Sequence, residues 1–201
     1  MVGCSVLPVT LVNNQLYFLF GKEHSSDSTP GFSDFGGGNE KNESVYETAM
    51  REAGEELTGF LGGPNDVKKL IRDSGGYHKL SYHFPDKPGE KANAYHIHLF
   101  HLPYDENLPK YYNANHKYLW ERMDNAYLKK TKLFEKGEIA WFSTDDVRRR
   151  RNEFRSFYRE ITDLILENEP QIRKFLSSRK SNKRTTKKYR NTLDEIGMKY
   201  N

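Results

Sequence analysis

Residues 37–59 space their glycines and charged residues at intervals that a glycine turn followed by a helix can use. Five residues separate Gly37 from Glu43, seven separate Glu43 from Arg51, Glu52 follows at once, and Glu55 and Glu56 stand after a gap of two. Val45, Ala49, Ala53 and Leu57 recur every fourth position, the stripe that an amphipathic helix buries, so the spacing predicts a helix over 43–57. On such a helix Glu52, Glu55 and Glu56 project from one side as neighbours.

Three adjacent carboxylates repel one another and raise each other's pKa unless a cation neutralises them. The simplest neutralisation is a hard divalent ion held by oxygen ligands. A run of Glu on a helix is ordinarily only a solvated face. Two upstream features argue for more. Gly36, Gly37 and Gly38 form a backbone able to approach a ligand closely, and Arg51 stands beside the carboxylates. With each residue type expected at roughly one position in fifteen, six fixed positions coincide by chance at about 10⁻⁷ per start point.

The stretch resembles the box of the Nudix hydrolase family, G-x5-E-x7-R-E-U-x-E-E-x-G-U with U apolar. It matches as far as Glu56; Leu57 and Thr58 then stand where the family has one residue before Gly59. The resemblance implies an α/β (α+β) fold with a mixed sheet sandwiched between helices, and hydrolysis of a diphosphate in a nucleoside diphosphate linked to a second group, assisted by Mg²⁺ or Mn²⁺. It implies Glu52, Glu55 and Glu56 as metal ligands, with the carbonyl of Gly36 as a fourth. Glu55 and Glu56 would also serve catalysis, while Gly37, Glu43 and Arg51 would be structural. A further carboxylate from a later loop, Glu135 or Glu138, would act as ligand or general base. Glu135 is preferred because it lies on the loop, whereas Glu138 begins a strand.

The length of 201 residues suits one domain over 1–170 with a basic tail over 171–201. A single cysteine, Cys4, excludes an intrachain disulfide. With no basic leader and no long apolar run, an intracellular, cytoplasmic protein without a membrane segment is expected. Two apolar runs flanking Asn13 and Asn14 predict a hairpin. Residues 66–75 predict a short helix, and 78–84 and 93–102 predict strands, the latter with Ile97 and Leu99 on one face and His96, His98 and Phe100 on the other. Apolar residues over 145–167 predict one late helix, with Thr144 as N-cap.

Substrate contacts are expected from His96 and His98 and from an aromatic and basic insertion over 102–134, where Tyr111, Tyr112, Trp120, Lys129 and Lys130 could stack a base and hold a phosphate. The alternative is that these aromatics bury a helix over 116–128 against the sheet. The histidines do not read as a structural zinc site, which would want thiolates at tight spacing. Lys and Arg outnumber Asp and Glu by ten to two over 171–201, in a chain of net charge +4, a bias that suits a polyanion such as RNA. A solvated tail without a partner is the plainer reading. Three functions are therefore carried forward: removal of an RNA cap; hydrolysis of small substrates such as damaged nucleoside triphosphates, dinucleoside polyphosphates, ADP-ribose or diphosphoinositol polyphosphates; and a non-catalytic binding protein, against which the intact carboxylates argue.

Overall fold

The computed structural model describes residues 2–23, 29–85, 93–124, 126–128 and 135–179. The first two strands, β1 (Val2–Val12) and β2 (Gln15–Glu23), form the expected hairpin. Asn13 (φ 49) and Asn14 (φ 61) both sit in the left-handed region that a two-residue turn matching the sheet twist requires. Then come β3 (Phe32–Ser33), β4 (Phe35–Gly38), α1 (Val45–Glu56), α2 (Pro64–Asp73), β5 (Tyr77–His83), β6 (Ala94–His101), α3 (Asn107–Trp120) and β7 (Lys136–Ser143). The chain continues as α4 (Thr144–Arg149), a 3₁₀ turn (Arg151–Glu153), α5 (Tyr158–Glu167) and α6 (Glu169–Ser178).

The strands form one mixed sheet in the order β3-β2-β1-β6-β5, with β4 also on β1 and β7 also on β2. Only the β1–β6 pair among the named strands is parallel. Alternation along β1 sends Cys4 and Val6 to one core and Leu7 and Val9 to the other. The first core lies under α1 and α2, through Ala49, Met50, Ala53, Val67 and Ile71; the second lies under α5 and α6, through Tyr158, Ile161, Ile165, Ile172 and Leu176. Helices thus cover both faces of the sheet. Cys4 is buried within β1, where burial pushes its thiol up to about 11. No helix among the described residues is long and apolar enough to cross a membrane.

Four boundaries differ from the sequence expectation. The late helix over 145–167 is broken: Phe154 is extended (φ -81, ψ 150), bridges Phe32, and packs edge-on to Phe20 at 4.9 Å. Burying that ring in the aromatic core outweighs local helix propensity. The cap is Ser143 rather than Thr144, because Ser143 and Asp146 form a reciprocal capping box. The insertion helix spans Asn107–Trp120 rather than 116–128, docked by Asn113, which accepts from the Ile139 amide (2.8 Å) and donates to its carbonyl (3.1 Å). Residues 171–178, placed by charge in the tail, belong to α6 and bury Ile172 and Leu176. Residues 180–201, and with them most of the basic tail, lie outside the described residues.

The extra residue after α1 has a visible consequence. Thr58 donates its amide to Glu55 (2.8 Å) and Gly59 to Gly54 (2.9 Å), the two bonds of a Schellman cap. The first left-handed position of that cap holds Thr58 (φ 50), a β-branched residue where glycine would be unstrained. Thr58→Gly is expected to raise unfolding free energy by ~0.5–1 kcal/mol in urea denaturation.

Between β3 and β4, Asp34 is 1 % exposed and accepts from Ser5 Oγ and from Tyr95 Oη (2.6 Å). Burial raises its carboxyl from 3.8 to about 6, against those hydrogen bonds. Because the folded-state pKa is raised, the protonated form favours folding: this stability is fully present below pH 3.8 and is lost as pH rises through about 6. Relative to Asp34→Asn, the wild type should therefore lose up to ~3 kcal/mol over that rise, measurable by denaturation at a series of pH values. A pH-independent difference would refute the assignment.

Candidate active site

The box helix starts where a capping box can form. Ser44 Oγ accepts from the Glu47 amide (3.3 Å), and Glu47 accepts from the Ser44 amide (2.9 Å), which holds the Glu47 carboxyl below its usual range. Glu43 is therefore just outside the helix rather than its first residue. From there it makes a fork-to-fork pair with Arg51, 2.9 Å to Nε and 3.2 Å to Nη2. The same guanidinium reaches Glu52 (2.9 Å), Glu55 (3.2 Å) and the carbonyl of Gly38 (3.3 Å). Arg51 thus ties the helix, its approach segment and the glycine strand into one frame, and these carboxylates hold its own pKa up.

Glu52 lies against that strand. A Cβ on Gly37 would come within 2.5 Å of the Glu52 carboxylate oxygen, so glycine is what lets strand and carboxylate approach. Gly36 is equally confined, since a Cβ there would meet Ser5 Cβ at 2.3 Å. Burial raises the Glu52 pKa, opposed by Arg51, and Glu55 and Glu135 add to the rise. Of the two later carboxylates, Glu135 is the one whose charge is felt at Glu52. Glu138 is paired with Lys22 at 3.8 Å.

Glu56 turns inward. Its residue is 5 % exposed; one carboxylate oxygen accepts from the Gly36 amide (2.6 Å) and the other faces Lys136 Nζ (3.2 Å). Lys136 is fully buried, and its ammonium also contacts Glu23 and donates to Ser33 Oγ (2.9 Å). A bulge sets this up: β2 pairs Lys22 with Glu138 but Glu23 with Lys136, so Gly137 is the extra residue that turns Lys136 inward. Burial raises the Glu56 carboxyl to about 8, against the pull of Lys136. Burial would lower the Lys136 pKa, but Glu56 and Glu23 more than offset it and hold it up.

Among the expected substrate contacts, two belong to the interior. Tyr112 is fully buried, and its hydroxyl donates to the carbonyls of Glu56 (3.1 Å) and Lys136 (3.2 Å), which clamps α3 over the box helix and β7. His98 is 1 % exposed, its Nδ1 lies 3.0 Å from the Ser5 carbonyl, and its ring meets Tyr46 and Tyr77. His96 is half-buried with Nδ1 2.8 Å from Ser81 Oγ, and burial lowers its pKa. Tyr111 is 67 % exposed on α3. Trp120 lines a cavity of about 420 Å³ with Asn113, His116, Lys117, Glu121, Gly137 and Glu138. Lys129 and Lys130 lie outside the described residues.

Sequence reasoning passed over Lys136, Glu23 and Asn113. Lysine followed by glycine at the head of an apolar strand is the one local sign that Lys136 sits at a bulge. Nothing local marks Glu23 as its partner, because the pairing depends on the β2–β7 register. Among the described residues, no three His, Cys, Asp or Glu side chains stand ready to enclose a metal ion. Glu52 and Glu55, with oxygen donors on one helix face, suit a hard cation that binds through one or two carboxylates and completes its shell with water and phosphate.

No family model matches the sequence, and no curated protein matches it. Among solved structures the chain is similar to a C. elegans Ap4A hydrolase (13 % identity, 85 % of this chain and 96 % of that one, TM-score 0.49). It is similar also to a bifunctional NMN adenylyltransferase/ADP ribose pyrophosphatase from Francisella tularensis, complexed with AMP and a Mn ion (17 %, 83 % and 41 %, TM-score 0.48). A third similar structure is the NUDIX domain of Shewanella oneidensis NrtR complexed with ADP ribose (10 %, 85 % and 86 %, TM-score 0.45).

Proposed function

We propose that this chain is a Nudix-type hydrolase that cleaves a diphosphate linkage in a nucleoside diphosphate joined to a second group, with Mg²⁺ or Mn²⁺ as cofactor. The observation that carries this reading is the Arg51 frame, which holds Glu43, Glu52, Glu55 and the Gly38 carbonyl together beside Gly37. A solvated acidic face needs no such frame. Glu52 and Glu55 would hold the ion, whose contribution is to neutralise charge on the diphosphate oxygens and to acidify water. Glu135, whose charge is felt at Glu52, would take the proton from the attacking water; Glu138, paired with Lys22, is the less suited of the two carboxylates. The water oxygen bonds to phosphorus as the bridging P–O bond breaks, and the leaving phosphate carries the electron pair away.

Gly137 lines the cavity at Trp120 and its chain neighbour Lys136 touches Glu56, which supports reading the cavity as part of this site. Its volume of about 420 Å³ suits a nucleoside-sized group, with the rings of Trp120 and His116 as flat walls and Lys117 as a cation. This favours a small nucleotide substrate. The second reading, a capped RNA, draws on the ten-to-two excess of basic residues over 171–201.

Glu52→Gln is expected to lower kcat by at least ~10² with the fold intact. Product analysis with Mg²⁺ and a panel of nucleoside triphosphates, dinucleoside polyphosphate, ADP-ribose, diphosphoinositol polyphosphate and cap-labelled RNA ranks the substrates by kcat/KM. Removal of 181–201, which spares α6, should leave small-nucleotide hydrolysis unchanged. A large loss confined to long capped RNA would instead select the decapping reading.

A further inference from the structure

We infer that Lys136 is a built-in cation: its ammonium holds the charge position that a divalent ion would otherwise take on Glu56, leaving Glu52 and Glu55 as the metal ligands. The inference rests on the hydrolase reading above and concerns how that site divides its carboxylates.

Three observations converge on it. Both Glu56 oxygens already face internal donors, Lys136 Nζ at 3.2 Å and the Gly36 amide at 2.6 Å. The three N–H groups of the ammonium have three acceptors in Glu56, Glu23 and Ser33, so the lysine is fully satisfied. The backbone is shaped for this arrangement as well. The bulge at Gly137 turns Lys136 inward, and Tyr112 holds the Glu56 and Lys136 carbonyls on either side. Glu52 and Glu55 differ in that their cationic partner among the described residues is the partly exposed Arg51, with 13 % and 56 % of their own side chains exposed. Loading an ion on Glu56 would mean expelling a buried ammonium from two carboxylates. Loading it on Glu52 and Glu55 asks only that Arg51 release those two carboxylates while its fork-to-fork pair with Glu43 stays.

Mn²⁺ titration of the full chain, read by electron paramagnetic resonance and calorimetry, gives the number of ions bound and their Kd without reference to turnover. Glu52→Gln and Glu55→Gln should each weaken Mn²⁺ binding by at least ~10-fold, whereas Glu56→Gln should change it by less than ~3-fold. Lys136→Met should admit one further Mn²⁺ per chain, and adding Glu56→Gln should remove it. If Lys136→Met does not fold, the Glu56→Gln arm decides alone. A loss in Glu56→Gln equal to that in Glu52→Gln overturns the inference and leaves the hydrolase reading standing. A wild type that binds no Mn²⁺ overturns both.

Discussion

The buried contact of Lys136 with Glu56 and Glu23 is the constraint around which the rest is arranged. A fully buried ammonium is tolerated only when paired and hydrogen-bonded, and removing one partner of such a group costs on the order of 3–5 kcal/mol. Its partners come from α1 and β2, and Ser33 comes from β3, so one nitrogen ties β7 to segments as far as 113 residues away in the chain. Arg155 adds a second cation to Glu23, which draws the approach to α5 into the same network. The face of α1 that carries Glu52 and Glu55 is thereby fixed from beneath, and Arg51 fixes it from the side.

What the sequence made legible was whatever depends on local spacing. The box helix, the asparagine hairpin, the short helix before β5 and the two faces of β6 follow from periods of four and two and from residues that accept positive φ. What escaped depends on partners distant in the chain. Phe154 leaves the helical rhythm because Phe32 and Phe20 bury its ring, and neither is near in sequence. His98 and Tyr112 have side chains as able to meet a ligand as to support a fold. The parity of β6 and the helix above it decide the matter for the fold. Glu56 was legible as an acidic helix residue, but its inward turn requires knowing that a bulge sets Lys136 opposite Glu23.

The insertion after β6 has a double character for the same reason. The inner side of α3 is structural, through Tyr112 to the box helix and Asn113 to the backbone of β7, and Asn113 also borders the cavity with Lys117 and Trp120 on the same stripe. The residues that border the cavity are thus mounted on an element pinned to the box helix and β7. A shift of α3 would therefore move the cavity wall and the clamp on Glu56 and Lys136 together.

The central position of β1 sets the order in which the molecule can be assembled. β1 pairs with β2 across a two-residue turn, but its parallel partner β6 begins at Ala94, and β2 must wait for β7 beginning at Lys136. Closing such long loops before any contact rewards them slows folding and leaves edges exposed. During synthesis the acidic helix emerges well before the lysine that neutralises it, and before the Ile172 and Leu176 side chains that close the second core. The nascent chain therefore carries Glu56 without its internal cation, and open strand edges, until β7 and α6 have been made.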